Sequence, residues 1–243
     1  METTEHTFDE IRETVNCLKW FLVSLRISGV EVLPRGFHPS LTPSETGDEA
    51  LDDQIYDATA LNGIRQELGD CRLCRLHEGR NHIVFGEGAP GARLVFVGEG
   101  PGFEEDQQGR PFVGKAGKLL DRMIRAIGFQ REEVYICNVV KCRPPNNRTP
   151  QPDEIDVCSP FLLQQLHAVN PTVICALGSC AAQTLLATTS SVSRLRARVH
   201  HWRGIPVICT FHPAYLLRNP SQKEATWRDL LEVHRIVHEG LGG

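Results

Sequence analysis

Four short apolar runs constrain this chain more than any other feature: RLVFVGEG (93–100), VYICNVV (134–140), TVICALG (172–178) and PVICTFH (206–212). Each is rich in Val and Ile, and each is too short for a buried helix. Helical patterns separate them, at 115–128, 153–169 and 179–187, and a last one at 225–239 follows the fourth run. Continuous apolar strands alternating with helices demand a parallel sheet covered on both faces. The expected architecture is therefore α/β, a three-layer α/β/α sandwich with a central four-stranded parallel sheet. In such sheets ligands sit at the carboxyl ends of strands. The residues to read are thus Gly98 to Gly102, Asn138 to Cys142, Gly178, and His212-Pro213-Ala214.

The segment before the first strand is different. Residues 8–28 place Ile11, Val15, Leu18, Trp20, Phe21, Leu22 and Leu25 at roughly helical spacing, and 29–57 is rich in Pro, Gly, Ser and acids. The expected division is an N-terminal helix and flexible linker over 1–57 and one folded domain over 58–243. The polar, acidic start lacks the basic-then-apolar pattern of a signal peptide, and no apolar run is long enough to span a bilayer. A cytosolic location is the expectation. The formal net charge of −4 means that any nucleic-acid contact must come from local basic loops.

Nine cysteines in a reducing compartment argue against disulfides, and their odd number argues against complete pairing. Cys137, Cys175 and Cys209 fall inside strands, and Cys17 and Cys180 in helical patterns, where buried thiols are ordinary. Cys71-Arg72-Leu73-Cys74 is a CxxC, and Cys142 and Cys158 flank the loop RPPNNRTPQPDEIDV. These four suit a thiolate cage around zinc or an iron–sulfur cluster, and spacing alone does not choose between them. Ligation would tether the loop at both ends and present Arg143, Asn146, Asn147 and Arg148 as a basic edge, with Arg72, Arg75 and Arg80 beside it.

GEGPGFEEDQQGRPFVGKAGKLLDRM (98–123), VYICNVVKCRPPNNRTP (134–150) and TFHPAYLLRNP (210–220), with CRLC upstream, resemble the iron–sulfur family 4 uracil-DNA glycosylases. Three strand-end motifs and four cysteines in order carry the likeness over about residues 58–240. The resemblance implies a [4Fe–4S] cluster on Cys71, Cys74, Cys142 and Cys158. It implies a DNA repair enzyme that flips uracil out of single- or double-stranded DNA and hydrolyses the N-glycosidic bond, leaving an abasic site. As that bond stretches, the sugar becomes cation-like and the base anionic, so the reaction needs negative charge near the sugar and donors near the base. By resemblance Glu99 serves the sugar side and His212 donates to uracil O2, with Glu105 in reserve to hold water. Asn138 reads the base, Phe112 stacks on it, and Gly98 and Gly100 allow a close backbone approach. Leu216 is the expected wedge into the emptied stack, Arg218 meets phosphate, and Arg143 and Arg148 are further DNA contacts. GEGPG and the helix start at Gly114-Lys115 offer backbone N–H groups to phosphate. The alternative is a protein that captures uracil-DNA without turnover. Resembling proteins of that kind carry a basic, histidine-containing insert after the second strand, and residues 141–158 have none. No motif places a lysine nucleophile, so strand cutting is not expected. A monomer is expected, with the N-terminal helix as the docking element for a replication or repair partner.

Overall fold

The computed structural model describes residues 58–239. The chain divides into Met1–Asp52 and Asp53–Gly243. The helix and linker expected over 1–57, with Cys17, lie outside the described residues.

The four apolar runs form strands at the expected places: β2 (Leu94–Gly98), β3 (Tyr135–Asn138), β4 (Val173–Leu177) and β6 (Ile205–Thr210). They pair in parallel in the order β3-β2-β4-β6. Every residue of β2, β3 and β4 is buried, which is why these runs read as continuous apolar stretches rather than alternating ones.

The sheet has six strands, not four. A two-residue strand, β1 (Glu87–Gly88), runs antiparallel to β3 on one edge, and β5 (Val199–Trp202) runs antiparallel to β6 on the other. Both escape a periodicity reading for physical reasons. β1 is too short to show a period. β5 reads Val-His-His-Trp and is joined to β6 by Arg203-Gly204, both at positive φ (48° and 83°), a tight hairpin turn that arginine seldom begins.

Connections set the layers. Helix α1 (Ala58–Leu68) packs on α4 (Pro152–Val169). From β2 the chain runs through α2 (Phe103–Gln108) and the crossover α3 (Lys115–Ala126) outward to β3, whereas α4 carries it back across β2 to β4, and α5 (Ser179–Leu186) and the short α6 (Val192–Leu195) start the passage on to β6. Right-handed crossovers in opposite directions put α3 on one face and α4 and α5 on the other. The last helix, α8 (Lys223–Glu239), joins the α3 face, where His234 Nδ1 lies 3.1 Å from the Ile127 carbonyl. The strand order reverses between β2 and β4, so the crevice for a ligand opens at their carboxyl ends.

Candidate active site and thiol lobe

A cavity of about 720 Å³ occupies that crevice. Glu99 follows β2, Asn138 ends β3, and His212 follows β6 and caps α7 (Pro213–Arg218); all three line the cavity. An acid and an imidazole more than a hundred residues apart therefore face one space. Phe112, Gly100, Lys115, Arg148 and Arg218 line it too.

Each wall is held in a definite state. The Glu99 carboxyl accepts no hydrogen bond and meets no cation among the described residues, and burial alone pushes its pKa up. Its backbone is fixed, because the Val140 N–H donates to the Glu99 carbonyl at 3.1 Å and the Val139 N–H to that of Gly98 at 2.9 Å. His212 Nδ1 accepts the Ala214 N–H at 3.1 Å. That nitrogen must be bare, so the proton of the neutral ring sits on Nε2. Burial, with Arg218 nearby, pushes the imidazole down to about 4, so it stands neutral at pH 7. The Phe112 ring lies 5.5 Å from the His212 ring at 31°. Phe112 itself sits at φ 51°, a strained backbone for a bulky residue. Asn138 is 1% exposed, and its Oδ1 is buried with no hydrogen-bond partner among the described residues. A buried acceptor left unsatisfied costs about 1–3 kcal/mol unless something fills the cavity and donates to it.

The glycines are close-approach positions. A Cβ on Gly98 would stand 2.6 Å from the Phe112 ring, and one on Gly100 would stand 2.7 Å from Val140 Cγ2. Side chains there would displace the aromatic wall or the loop after β3.

Other expected site residues do different work. The Glu105 carboxylate is buried and accepts the N–H groups of Val113 (2.8 Å), Gly114 (2.9 Å) and Gly102 (3.1 Å). It pins the loop to the start of α3. It also takes two of the backbone donors expected to meet phosphate. Leu216 is 1% exposed and belongs to the core, so it is not a wedge. On a helix the next residue turns through about 100°, and Leu217, 41% exposed, is the one that reaches the cavity. Arg148 lines the cavity but is paired with buried Glu154 at 2.6 and 2.8 Å. Arg143 lies outside the lining; Asn147 holds its Nε at 2.7 Å, and its guanidinium sits 5.1 Å from the Phe103 ring centre. Arg72 and Arg75 are neutralised by Asp70 and Asp153, so the basic edge is narrower than the sequence implied. Phe103, a cavity residue 53% exposed, was missed; an aromatic opening the polar helix FEEDQQ (α2, Phe103–Gln108) was its signal.

Cys71, Cys74, Cys142 and Cys158 line a second, smaller cavity with Leu68, Leu73, Leu76 and Val157. Two sulfurs already accept hydrogen bonds, Cys158 from the Lys141 N–H at 3.3 Å and Cys142 from Arg80 Nη1 at 3.4 Å. Such bonds are the support that ligating sulfurs receive. Arg80 is itself fixed by Asp70 Oδ1 (2.5 Å) and the Cys71 carbonyl (2.6 Å). Burial pushes the thiols of Cys74 and Cys142 up, and that of Cys158 to about 12. Cys137, Cys175, Cys180 and Cys209 are buried free thiols apart from this lobe.

Comparison with known proteins follows the same lines. The model of the uracil-DNA glycosylase superfamily matches residues 85–231. A type-4 uracil-DNA glycosylase of Thermotoga maritima is 49% identical over 180 residues, covering 73% of this chain and 89% of that protein. One of Archaeoglobus fulgidus is 43% identical, covering 73% and 93%. The chain belongs to the type-4 uracil-DNA glycosylases. A type-5 uracil-DNA glycosylase of Pyrobaculum aerophilum is more distant, 32% identical over 62% of this chain and 73% of its own length. In this type-4 glycosylase the matched stretch contains the whole cavity and Cys142 and Cys158, whereas Cys71 and Cys74 precede the superfamily match.

Proposed function

We propose that the chain is a DNA repair glycosylase that hydrolyses the N-glycosidic bond of deoxyuridine, releasing uracil and leaving an abasic site. One observation carries this: Glu99, the neutral imidazole of His212 and the unpartnered Oδ1 of Asn138 line the same cavity. Uracil N1–C1′ is unreachable in a stacked strand, so the nucleotide is flipped into the cavity. There Asn138 Oδ1 accepts the N3–H of uracil and its amide donates to O4. Cytosine offers an acceptor at N3 and a donor at C4 and is refused. The N1–C1′ bond breaks with its electron pair leaving on the base. His212 Nε2–H donates to O2, where that charge gathers, while the Glu99 carboxylate faces the developing sugar cation and orients water. The water oxygen bonds to C1′, and its proton leaves to the expelled base or to solvent. Phe112 covers the flat face of the base. Where the cavity lining is exposed, the Phe103 ring with Arg143 over it, together with Leu217 and Arg218, suits a strand of bases and phosphates.

The four-thiol lobe is read as the seat of a [4Fe–4S] cluster. Four thiols line one cavity and two of their sulfurs already accept hydrogen bonds, a donor set that suits the cluster implied by the type-4 resemblance. Cys71 and Cys74 of the CxxC, with Cys142 and Cys158, would hold it, and their ligation would tie the CxxC segment to the stretch that follows β3. No helix among the described residues is long and apolar enough to cross a membrane.

Incubation with a uracil-containing oligonucleotide followed by alkali tests the reading. Cleavage only after alkali, with free uracil, is the expected result. A stable protein–DNA adduct would instead make the chain a capture protein, and intact DNA would end both readings.

A further inference from the structure

Lys141 is a charged residue where the sequence pattern calls for an apolar one. It is 1% exposed, and all its polar groups are engaged. Its Nζ donates to the Asn138 carbonyl at 2.7 Å and to Gln165 Oε1 at 2.5 Å. Its N–H donates to Cys158 Sγ at 3.3 Å, and its carbonyl accepts the Val84 N–H at 2.8 Å. Gln165, fully buried, continues the network to the Phe85 carbonyl (2.9 Å) and the Tyr135 hydroxyl (3.0 Å). One end of this chain of bonds is a thiol of the lobe. The other is the main chain of the residue whose amide oxygen waits unpartnered in the cavity.

We propose that Lys141 is a positioning residue that couples the thiol lobe to Asn138, so that occupancy of the lobe sets where the base-reading amide stands. The inference rests on the uracil-binding reading of the cavity. A lysine in a core loses solvation that a methionine of similar reach would never need, so its presence needs a reason beyond filling space. The structural reason is directional. Asn138 is the last residue of β3, where strand pairing gives out, and the lysine amine takes over its carbonyl. The same loop grips Glu99 through the Val140 N–H, so a displacement of residues 138–142 moves both the base reader and the acid.

Coupling is reciprocal: if a filled lobe favours the productive amide, a filled cavity must favour retention of the lobe's metal. The test uses the purified iron-loaded chain and two oligonucleotides, one with non-cleavable 2′-fluoro-2′-deoxyuridine and one with the matching cytidine analogue. The rate at which a chelator removes iron is measured with each. We expect the uracil oligonucleotide to slow iron loss at least threefold more than the cytosine one. In Lys141→Met, with the same starting iron content, we expect the two oligonucleotides to protect equally and the preference for uracil over cytosine to loosen about tenfold. A Lys141→Met protein that keeps uracil-specific protection and full selectivity would overturn the proposal. Should that variant fail to hold iron, Gln165→Leu removes the lysine's side-chain acceptor and leaves all four thiols, and unchanged protection and selectivity there would overturn it equally. Wild-type protein that releases uracil but is protected alike by both oligonucleotides sinks the coupling alone; wild-type protein that releases none sinks the functional reading.

Discussion

The thiol lobe and the strand-end cavity share the segment that follows β3 and treat their polar groups in opposite ways. In the lobe, Arg80 reaches Asp70, the Cys71 carbonyl and Cys142, and Lys141 ties Cys158 to Asn138 and Gln165. In the cavity, among the described residues, Glu99 accepts nothing, Asn138 Oδ1 has no partner, and His212 is bonded at one nitrogen only. A satisfied group is fixed and inert, whereas a buried group left open stores the free energy that a ligand releases on arrival. Glu99 and Glu105 repeat the contrast six residues apart. Both face the cavity, yet one carboxylate holds three backbone N–H groups and the other none.

Substitution can break this contrast in order of expected effect. Glu99→Gln keeps size and removes charge, and single-turnover uracil release should fall by about 10²–10³-fold with the melting temperature unchanged. Near-normal release would return Glu99 to the inert class. Leu216→Ala should destabilise the fold by about 2–5 kcal/mol, measured by denaturant unfolding. Its exposed neighbour Leu217→Ala should change stability by no more than about 0.5 kcal/mol while weakening DNA binding. The reverse pattern would restore Leu216 as the wedge. Asn138→Asp replaces an amide by an acceptor that cannot donate to O4; uracil release should drop by about 1–3 kcal/mol in transition-state terms, with discrimination against cytosine loosened. Unchanged selectivity would remove Asn138 from base reading.

The smallest effect is one of pH. The His212 pKa is lowered on folding from 6.5 to about 4, so between those values the unfolded chain binds more protons than the folded one. The stability tied to the neutral ring is present above pH 6.5 and lost as pH falls toward 4. His212→Asn should flatten that part of the thermal-melting profile. For the wild type, uracil release should hold from pH 8 to 6 without a step from this histidine, because the ring is already neutral there. A step in that range that vanishes in His212→Asn would mean that the imidazolium acts.

Much of the molecule was legible because it is local. Buried parallel strands must be apolar throughout, so β2, β3, β4 and β6 could be read directly, and the residues just beyond them were the right ones to inspect. The edge strands were not legible, since β1 is two residues long and β5 carries His200 and His201. Leucine identity could not separate Leu216 from Leu217, because one residue of helical rotation decides which faces the core. Nor could charge separate Arg148 from a free arginine, since its partner Glu154 is a buried residue in the first turn of α4 that also takes the Gln151 N–H.

What the sequence alone determined is the alternation of four apolar strands with helices, the ends at which a ligand must sit, and the set of residue types waiting there. Only the tertiary structure decided which of those groups are satisfied. Hydrogen-bond satisfaction depends on partners distant in the chain, as when Gln165 meets Lys141 or the Phe85 carbonyl, and local pattern carries no record of those meetings.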